Sequence, residues 1–515
     1  VAGLCSATFL NVPQPEKMKK YLLLSILALS LGACQKDEVL NFQNDPQAFA
    51  FKEVGSITLG GLGASEISAF DPTTKKLFVV NNSDINRIDV LDLKDPSKPV
   101  VIGKILMDPY GGYVNSLSVS NGKLAAAIEA KVKQNVGKCV IFNTSDLSEI
   151  KQVTVGALPD MVTFSPDGAF IMTANEGEPS DDYANDPEGS VSVINVAAGY
   201  TVKTLNFAGF ESYAAILKKK GFRVFGPKAT LVKDVEPEYI TISGDSKTAW
   251  VTLQENNAIA KIDLNLQVIT DVFPLGFKDY GLANNAFDLS DKDSKVGFSV
   301  NPKVKGMYMP DAIAVLEKDG IPYLFTANEG DSREYAGFVE MKRVKDLNLD
   351  FNNFPNGALL KTDAVLGRLN VTTTLGDTDG DGDFDELYSL GGRSMSVWNG
   401  LTGAQIYDTQ NEVDQRSIAA GLYDDARSDD KGSEPEGIAI GQIGNRTYAF
   451  LGCERTDALQ IYDVTNPKFP SFIMTLKTGD APEGVLFVPA DKSPNGKPLL
   501  IVSSENDGQV KFYSL

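Results

Sequence analysis

One unit recurs along the chain, and that recurrence limits the fold more than any other feature. It opens with an acidic or Pro-acidic pair, enters a short strand, turns, and runs into a second strand that ends in an acid. Pro159-Asp160-Met161-Val162-Thr163-Phe164 before Phe170 to Glu176 is one copy, and Pro237-Glu238-Tyr239-Ile240-Thr241-Ile242 before Ala249 to Glu255 is the next. Others begin at Glu66, Asn115, Pro310, Pro435 and Pro482, which makes seven. Two further strands follow in each, commonly closing on a phrase such as Ile88-Asp89-Val90 or Tyr462-Asp463-Val464. The runs alternate or are β-branched, are bounded by Gly, Pro, Asn and Asp, and show little helical period.

A single four-stranded sheet cannot bury both faces, so the copies must stack around a common centre. The predicted fold is therefore all-β, a seven-bladed β-propeller over 51–515. The strand Val54 to Leu59 precedes the first unit and the last unit ends at Val510 to Tyr513, so the N-terminal strand is expected to complete the last blade. A pair of smaller β domains is the alternative. Insertions are predicted at about 204–232, with a short helix over Ala214 to Lys220, and at about 331–390, before Ser394-Met395-Ser396-Val397-Trp398 resumes the sheet.

Antiparallel pairing puts the start of one strand and the end of its partner at the same edge. The first strand of each blade lines the channel, so the acids at both places are predicted to converge on one mouth. The inner set is Glu66, Asp160, Glu238, Asp311, Glu436 and Glu483, with Asn115 the exception. The second is Glu129, Glu176, Glu255, Glu329, Glu454 and Glu505, with Asp84 nearest in the first unit. Two carboxylates about 5 Å apart repel by about 3 kcal/mol at an effective dielectric of ~20. Two such rings around one opening require cations, paired Lys or Arg, or protonation. Glu176, Glu238, Glu329, Glu436, Glu454 and Glu483 are the candidate metal ligands of these rings. The plain alternative is that acids end strands because they are turn residues facing water. Arg333, Lys431 and Arg455 sit beside the rim, as salt-bridge partners or as a clamp for an anionic ligand.

The strongest local motif is Asp377-Thr378-Asp379-Gly380-Asp381-Gly382-Asp383-Phe384-Asp385. Aspartates at alternate positions, with glycines for a tight turn, let one loop wrap oxygens around a hard cation. Asp377, Asp379, Asp381, Asp383 and Asp385 are the expected ligands, with calcium the expected cofactor and another divalent metal the variant. An EF-hand match fails at the twelfth position, Tyr388, where a bidentate Glu is required. A calcium loop of another type is expected, against the alternative of a solvated acidic turn. Glu178 to Glu188 is a second acid-rich loop with weaker spacing.

Charge and composition narrow the chemistry. Lys and Arg number 48 against 68 Asp and Glu, a net charge of −20, which argues against a nucleic-acid partner and for cations or cation-bridged ligands, phosphate-bearing or mineral. The chain has no histidine, which excludes Ser–His and Cys–His nucleophilic sites and imidazole-ligated zinc. No nucleophile-elbow, phosphate-loop or dinucleotide fingerprint is present, and Ser428-Asp429-Asp430-Lys431 lies in a polar loop. Cys139 and Cys453 lie far apart inside apolar runs and are expected as buried thiols.

The first fifty residues read as an address. Met18-Lys19-Lys20, an apolar run from Leu22 to Leu31, and Gly32-Ala33-Cys34 make a secretory signal over 18–33, too short to span a membrane. Leu31-Gly32-Ala33-Cys34 resembles the bacterial lipobox, which implies a lipid on Cys34 and membrane contact through that anchor alone. Gln35-Lys36-Asp37-Glu38 is similar to the acidic signal that exports lipoproteins to the outer cell surface, so an outer-membrane or cell-surface lipoprotein is expected. Residues 1–17 precede Met18 and read as upstream sequence; 34–50 reads as a polar tether.

The phrases Ala174-Asn175-Glu176-Gly177-Glu178-Pro179, Thr326-Ala327-Asn328-Glu329-Gly330-Asp331, Thr372-Thr373-Thr374-Leu375-Gly376-Asp377 and Ser433-Glu434-Pro435-Glu436-Gly437 together resemble the choice-of-anchor I family. The resemblance covers 51–515 and implies a secreted or surface-anchored β-propeller, similar to an animal mesenchyme cell-surface glycoprotein linked to biomineralisation. Members are often labelled alkaline-phosphatase-like or phytase-like. Within Gly276-Phe277-Lys278-Asp279-Tyr280 the resemblance leads one to expect His where Tyr280 stands, and a catalytic role resting on that His would be lost here. Two functions are carried forward. The first is a surface-anchored calcium-binding propeller that holds cations or a cation-bridged ligand at an acidic mouth. The second is a metal-dependent phosphoesterase, with rim carboxylates on a metal that activates water and with Arg333, Lys431 and Arg455 on the phosphate.

Overall fold

The computed structural model describes residues 50–515; residues 1–17, the signal segment 18–33, Cys34 and the tether up to residue 49 lie outside the described residues. Among the described residues, seven four-stranded antiparallel sheets are present, one for each recurring unit. In chain order their inner strands are Ser68–Asp71, Val114–Ser120, Pro159–Phe164, Pro237–Ile242, Ile313–Lys318, Pro435–Ile443 and Pro482–Val488. Each inner strand lies beside the next, and the seventh lies beside the first, so the strands form a ring. The seventh blade takes its outermost strand from the other end of the chain: Lys52–Thr58 pairs antiparallel with Gln509–Ser514.

The period of two along each strand explains the stacking. In Lys76–Asn81 of blade one, Phe78 and Val80 pack toward Leu117, Leu124 and Val140 of blade two. Leu77 and Val79, on the opposite face, pack toward Leu499, Ile501 and Phe512 of blade seven. Both faces of the strand are dry, so it reads as an unbroken apolar run, with each fully buried side chain worth roughly 1.5–3 kcal/mol. The outer strand Val100–Leu106 borders solvent and is mostly exposed. Cys139 and Cys453 are buried free thiols in the cores between blades two and three and between blades five and six.

The insertions decorate one side of the ring. Between blades three and four lie the 3-10 turn Ala208–Tyr213 and the short helices Ala214–Lys218 and Leu231–Asp234. The insertion in blade five runs between Asn328 and Ser394, and it folds together with the connection between blades four and five. Val304–Met307 pairs with Phe277–Asp279 on one side and, in parallel, with Leu387–Ser389 on the other. Tyr280, Phe287, Val304, Leu347, Phe354 and Leu387 form a satellite core there. Tyr280 is thus a packing residue, 4.2 Å from Phe287, with its hydroxyl donating to Gly391 O at 3.3 Å.

Candidate cation site at the channel mouth

A backbone device repeated around the ring aims the inner acids. Pro159 pairs with Asn175 but Val162 pairs with Thr173, so the register shifts across Asp160. The same shift falls across Glu238, Glu436 and Glu483, and across Asn115 in blade two. A bulge at that point bends the strand and turns one side chain out of the ladder. Proline opens the strand in blades three, four, six and seven and removes a ladder donor where pairing is to be interrupted. Leu158, Met309, Glu434 and Ala481, each just before a proline, hold φ between 45° and 56°. Non-glycine residues in that region cost on the order of 1–3 kcal/mol each and gather at functional sites.

The acids so aimed do converge. Burial is the largest influence on each of them, and after it the charges of the others. Glu66 is pushed up to about 8 by burial, then by Glu505 and Asp160, against a bond from Asn82. Asp160 rises to about 7, chiefly by burial and then by Glu178, with Lys133 opposing. Glu238, Asp311, Glu436 and Glu483 are held well above the usual range, each by burial and then by neighbouring acids of both rings. Glu176 behaves likewise, with Asp160 its strongest neighbour. One oxygen each of Glu238, Glu436 and Glu483 is shielded from solvent and meets no hydrogen-bond donor.

The first unit differs from expectation. Asp84 is exposed and paired with Arg87 outside the mouth, and Asn82 takes the corresponding place, donating to Glu66 at 3.1 Å.

Neutralisation is uneven around the opening. Arg333 is buried with Nη1 at 2.6 Å from Asp234 and Nη2 at 2.9 Å from Glu236. Its guanidinium stacks on Phe225, 4.4 Å from the ring centre, and Arg223 covers the same ring at 3.9 Å while pairing with Glu340. Lys431 lies 2.7 Å from Glu329 and 3.2 Å from Glu434; Arg455 lies 2.8 Å from Glu454 and 3.3 Å from Glu434; Arg427 also pairs with Glu434. The three bases singled out in the sequence are therefore each occupied by carboxylates. Over blades seven, one, two and three, Lys133, 3.3 Å from Glu178, is the only base in the lining among the described residues. There a cavity of about 420 Å³ is lined by Glu66, Asp160, Glu176, Glu178, Glu483 and Glu129, together with Asn115 and Tyr113.

Among the described residues, three sets of carboxylates bring ligand oxygens within 4.8 Å of one another: Glu329, Glu434 and Glu454; Asp377, Asp379 and Asp385; and Asp350, Asp383 and Asp385. The structure thus joins Glu329 with Glu454, while Glu176, Glu238, Glu436 and Glu483 belong to no such set. Asp381 also stands outside them and accepts from Asp383 N. Sequence reasoning missed Glu434, which lies one residue before the proline of the sixth unit, and Asp350. A parallel bridge between Leu349 and Phe384 carries Asp350 to the loop. Within the loop Asp377 accepts from Gly380 N and Gly382 N, and Asp385 from Thr378 N. Tyr388 turns away to donate to Glu386.

A domain profile for the choice-of-anchor I domain matches residues 66–467. The chain belongs to the choice-of-anchor I family. This family member is 32% identical to Gigasin-3a of Magallana gigas over 188 residues, 30% of this chain and 66% of that protein. It is 25% identical to the mesenchyme-specific cell surface glycoprotein of Strongylocentrotus purpuratus over 319 residues, 52% of this chain and 40% of that one. The choice-of-anchor I chain therefore spans less than two thirds of either curated relative. Among solved structures, the β-propeller domain of Cps50 (Swd1) from Myceliophteria thermophila superposes with a TM-score of 0.46 at 10% identity, covering 90% of this chain and all of that one.

Proposed function

We infer that this choice-of-anchor I protein is a surface-displayed β-propeller that gathers cations at its acidic mouth and takes calcium, or a similar hard divalent ion, on the 377–385 loop. The observation that carries the reading is the ring of carboxylates with unsatisfied oxygens on Glu238, Glu436 and Glu483, the last of which lines a cavity where, among the described residues, one lysine faces six acids. A relative named as a cell surface glycoprotein supports display at the surface, as does the lipobox-like Leu31-Gly32-Ala33-Cys34. The mouth would supply cations to a phosphate-bearing or mineral ligand. No observation favours the phosphoesterase reading: Arg333, Lys431 and Arg455, which it needs for phosphate, are held by carboxylates.

Calorimetric titration of chelated protein with calcium tests the reading. Heat and a rise in melting temperature are expected, and Asp379→Asn with Asp385→Asn should remove the loop's share of the heat while leaving the mouth's. Protein that gives neither heat nor a melting shift would rule the reading out.

A further inference from the structure

We propose that the sector of the mouth over blades seven, one, two and three is a binding site for a linear polyamine, an alkyl chain carrying several ammonium groups, rather than for a single dehydrated metal ion. The proposal rests on the reading of the mouth as a cation site and names the class of cation.

Spacing is the first ground. Oxygens on one calcium lie 2.3–2.6 Å from the ion and so within about 5 Å of one another. The ring acids Glu66, Asp160 and Glu483 form no set within 4.8 Å, whereas the 377–385 loop and the Glu434 cluster do. Negative charge in the mouth is therefore spread along a surface and not focused on a point. The second ground is room. Lys133 and Glu178 line both the cavity of about 420 Å³ and a second one of about 560 Å³, whose lining includes Asp181, Asp182 and Tyr335. A bare ion fills little of such a trough; a water molecule's share of liquid volume is about 30 Å³.

The third ground is that the protein already places an ammonium there. Lys133 reaches in on its own alkyl chain and bonds Glu178; burial works against its charge, and Glu178, then Glu129 and Glu176, outweigh burial and hold the ammonium charged. The remaining acids have no such partner. Glu483 lines the same cavity with its Oε2 shielded from solvent and without a donor. Exposed Tyr113 gives apolar surface in the lining, against which a methylene segment can lie. An external polyamine would repeat along Glu66, Asp160 and Glu483 what Lys133 does at Glu178, by charge-assisted hydrogen bonds.

The test is calorimetry of chelated, full-length protein at low salt with putrescine, spermidine, spermine and, separately, calcium. Affinity should rise about tenfold with each added ammonium, the equivalent of one such contact. Glu66→Gln with Glu483→Gln should weaken spermine at least about tenfold while the protein still melts cooperatively. Lys133→Met should tighten it by vacating a position. Asp379→Asn with Asp385→Asn removes the same number of charges elsewhere and should leave spermine binding unchanged. Spermine binding that ignores the mouth substitutions, or falls equally with the loop substitutions, would overturn the proposal. Calcium heat that is lost in the mouth variant, without spermine binding, would also overturn it and leave the cation reading standing. Silence toward both ligands would sink both.

Discussion

Arg333→Met is expected to lower the unfolding free energy by about 3–5 kcal/mol, the usual cost of removing one partner from a buried ion pair. The side chain is 3% exposed and sits between Asp234, which is fully buried, and Glu236. Without it both acids would lie in a dry site with no counter-charge. Burial already holds the Glu236 carboxyl above its ordinary range, and Arg333 is the main influence pulling it back down. The same guanidinium ties the blade-five insertion to the segment after blade three, through Phe225 and its stack with Arg223. Urea denaturation at neutral pH measures the loss, and part of the stability should return in acid as the stranded carboxyls protonate. A midpoint shift equivalent to less than about 1 kcal/mol, the range of an exposed pair, would show that the pair is solvated.

The second large effect is on the pH dependence of stability in the absence of multivalent cations. The Glu66 carboxyl goes from an ordinary 4.5 to about 8 on folding, Asp160 from 3.8 to about 7, and Glu255 and Glu454 from 4.5 to about 7. Burial is the first cause in all four. A raised carboxyl means that the folded state holds more protons than the unfolded chain between the two values. Stability from these groups is therefore whole below about pH 4 and is lost as the pH climbs through about 7 to 8. Chelated protein at low ionic strength should melt on the order of 5 °C lower at pH 8.5 than at pH 5, and a saturating multivalent cation should flatten the profile. Thermal melts across that range decide it. A flat profile in chelator would mean that the acids are solvated and independent.

The fold was legible because each blade repeats one pattern and because a second strand dry on both faces announces itself as an apolar run, as Leu77-Phe78-Val79-Val80 does. Closure by the N-terminal strand followed from counting strands at both ends. The convergence of the acids was also legible, since antiparallel geometry fixes which strand ends share an edge. What the sequence hid was pairing across long separations. Arg333 meets Asp234 and Glu236 nearly one hundred positions away, through an insertion whose path no local pattern records. Lys431 likewise reads as a salt-bridge partner or an anion clamp, and the structure supplies its partners, Glu329 and Glu434. The satellite core around Tyr280 and Phe287 was missed because its strands are two to four residues long, too short to show a period. Asp84 was misplaced by counting from the strand end, where Asn82 faces the mouth instead. The bulges that aim Asp160, Glu238, Glu436 and Glu483 left one trace in the sequence, the proline before each acid.

Proton release on cation binding tests the central claim most directly. Chelated protein in weakly buffered solution at pH 7 is mixed with a saturating multivalent cation, and the acid liberated is titrated back. Carboxyls that outnumber the bases around one opening must surrender bound protons when a cation arrives, so wild-type protein is predicted to release protons, and the variant carrying Glu66→Gln and Glu483→Gln to release fewer. Cation binding with no proton release, or with the same release from both proteins, would contradict the account.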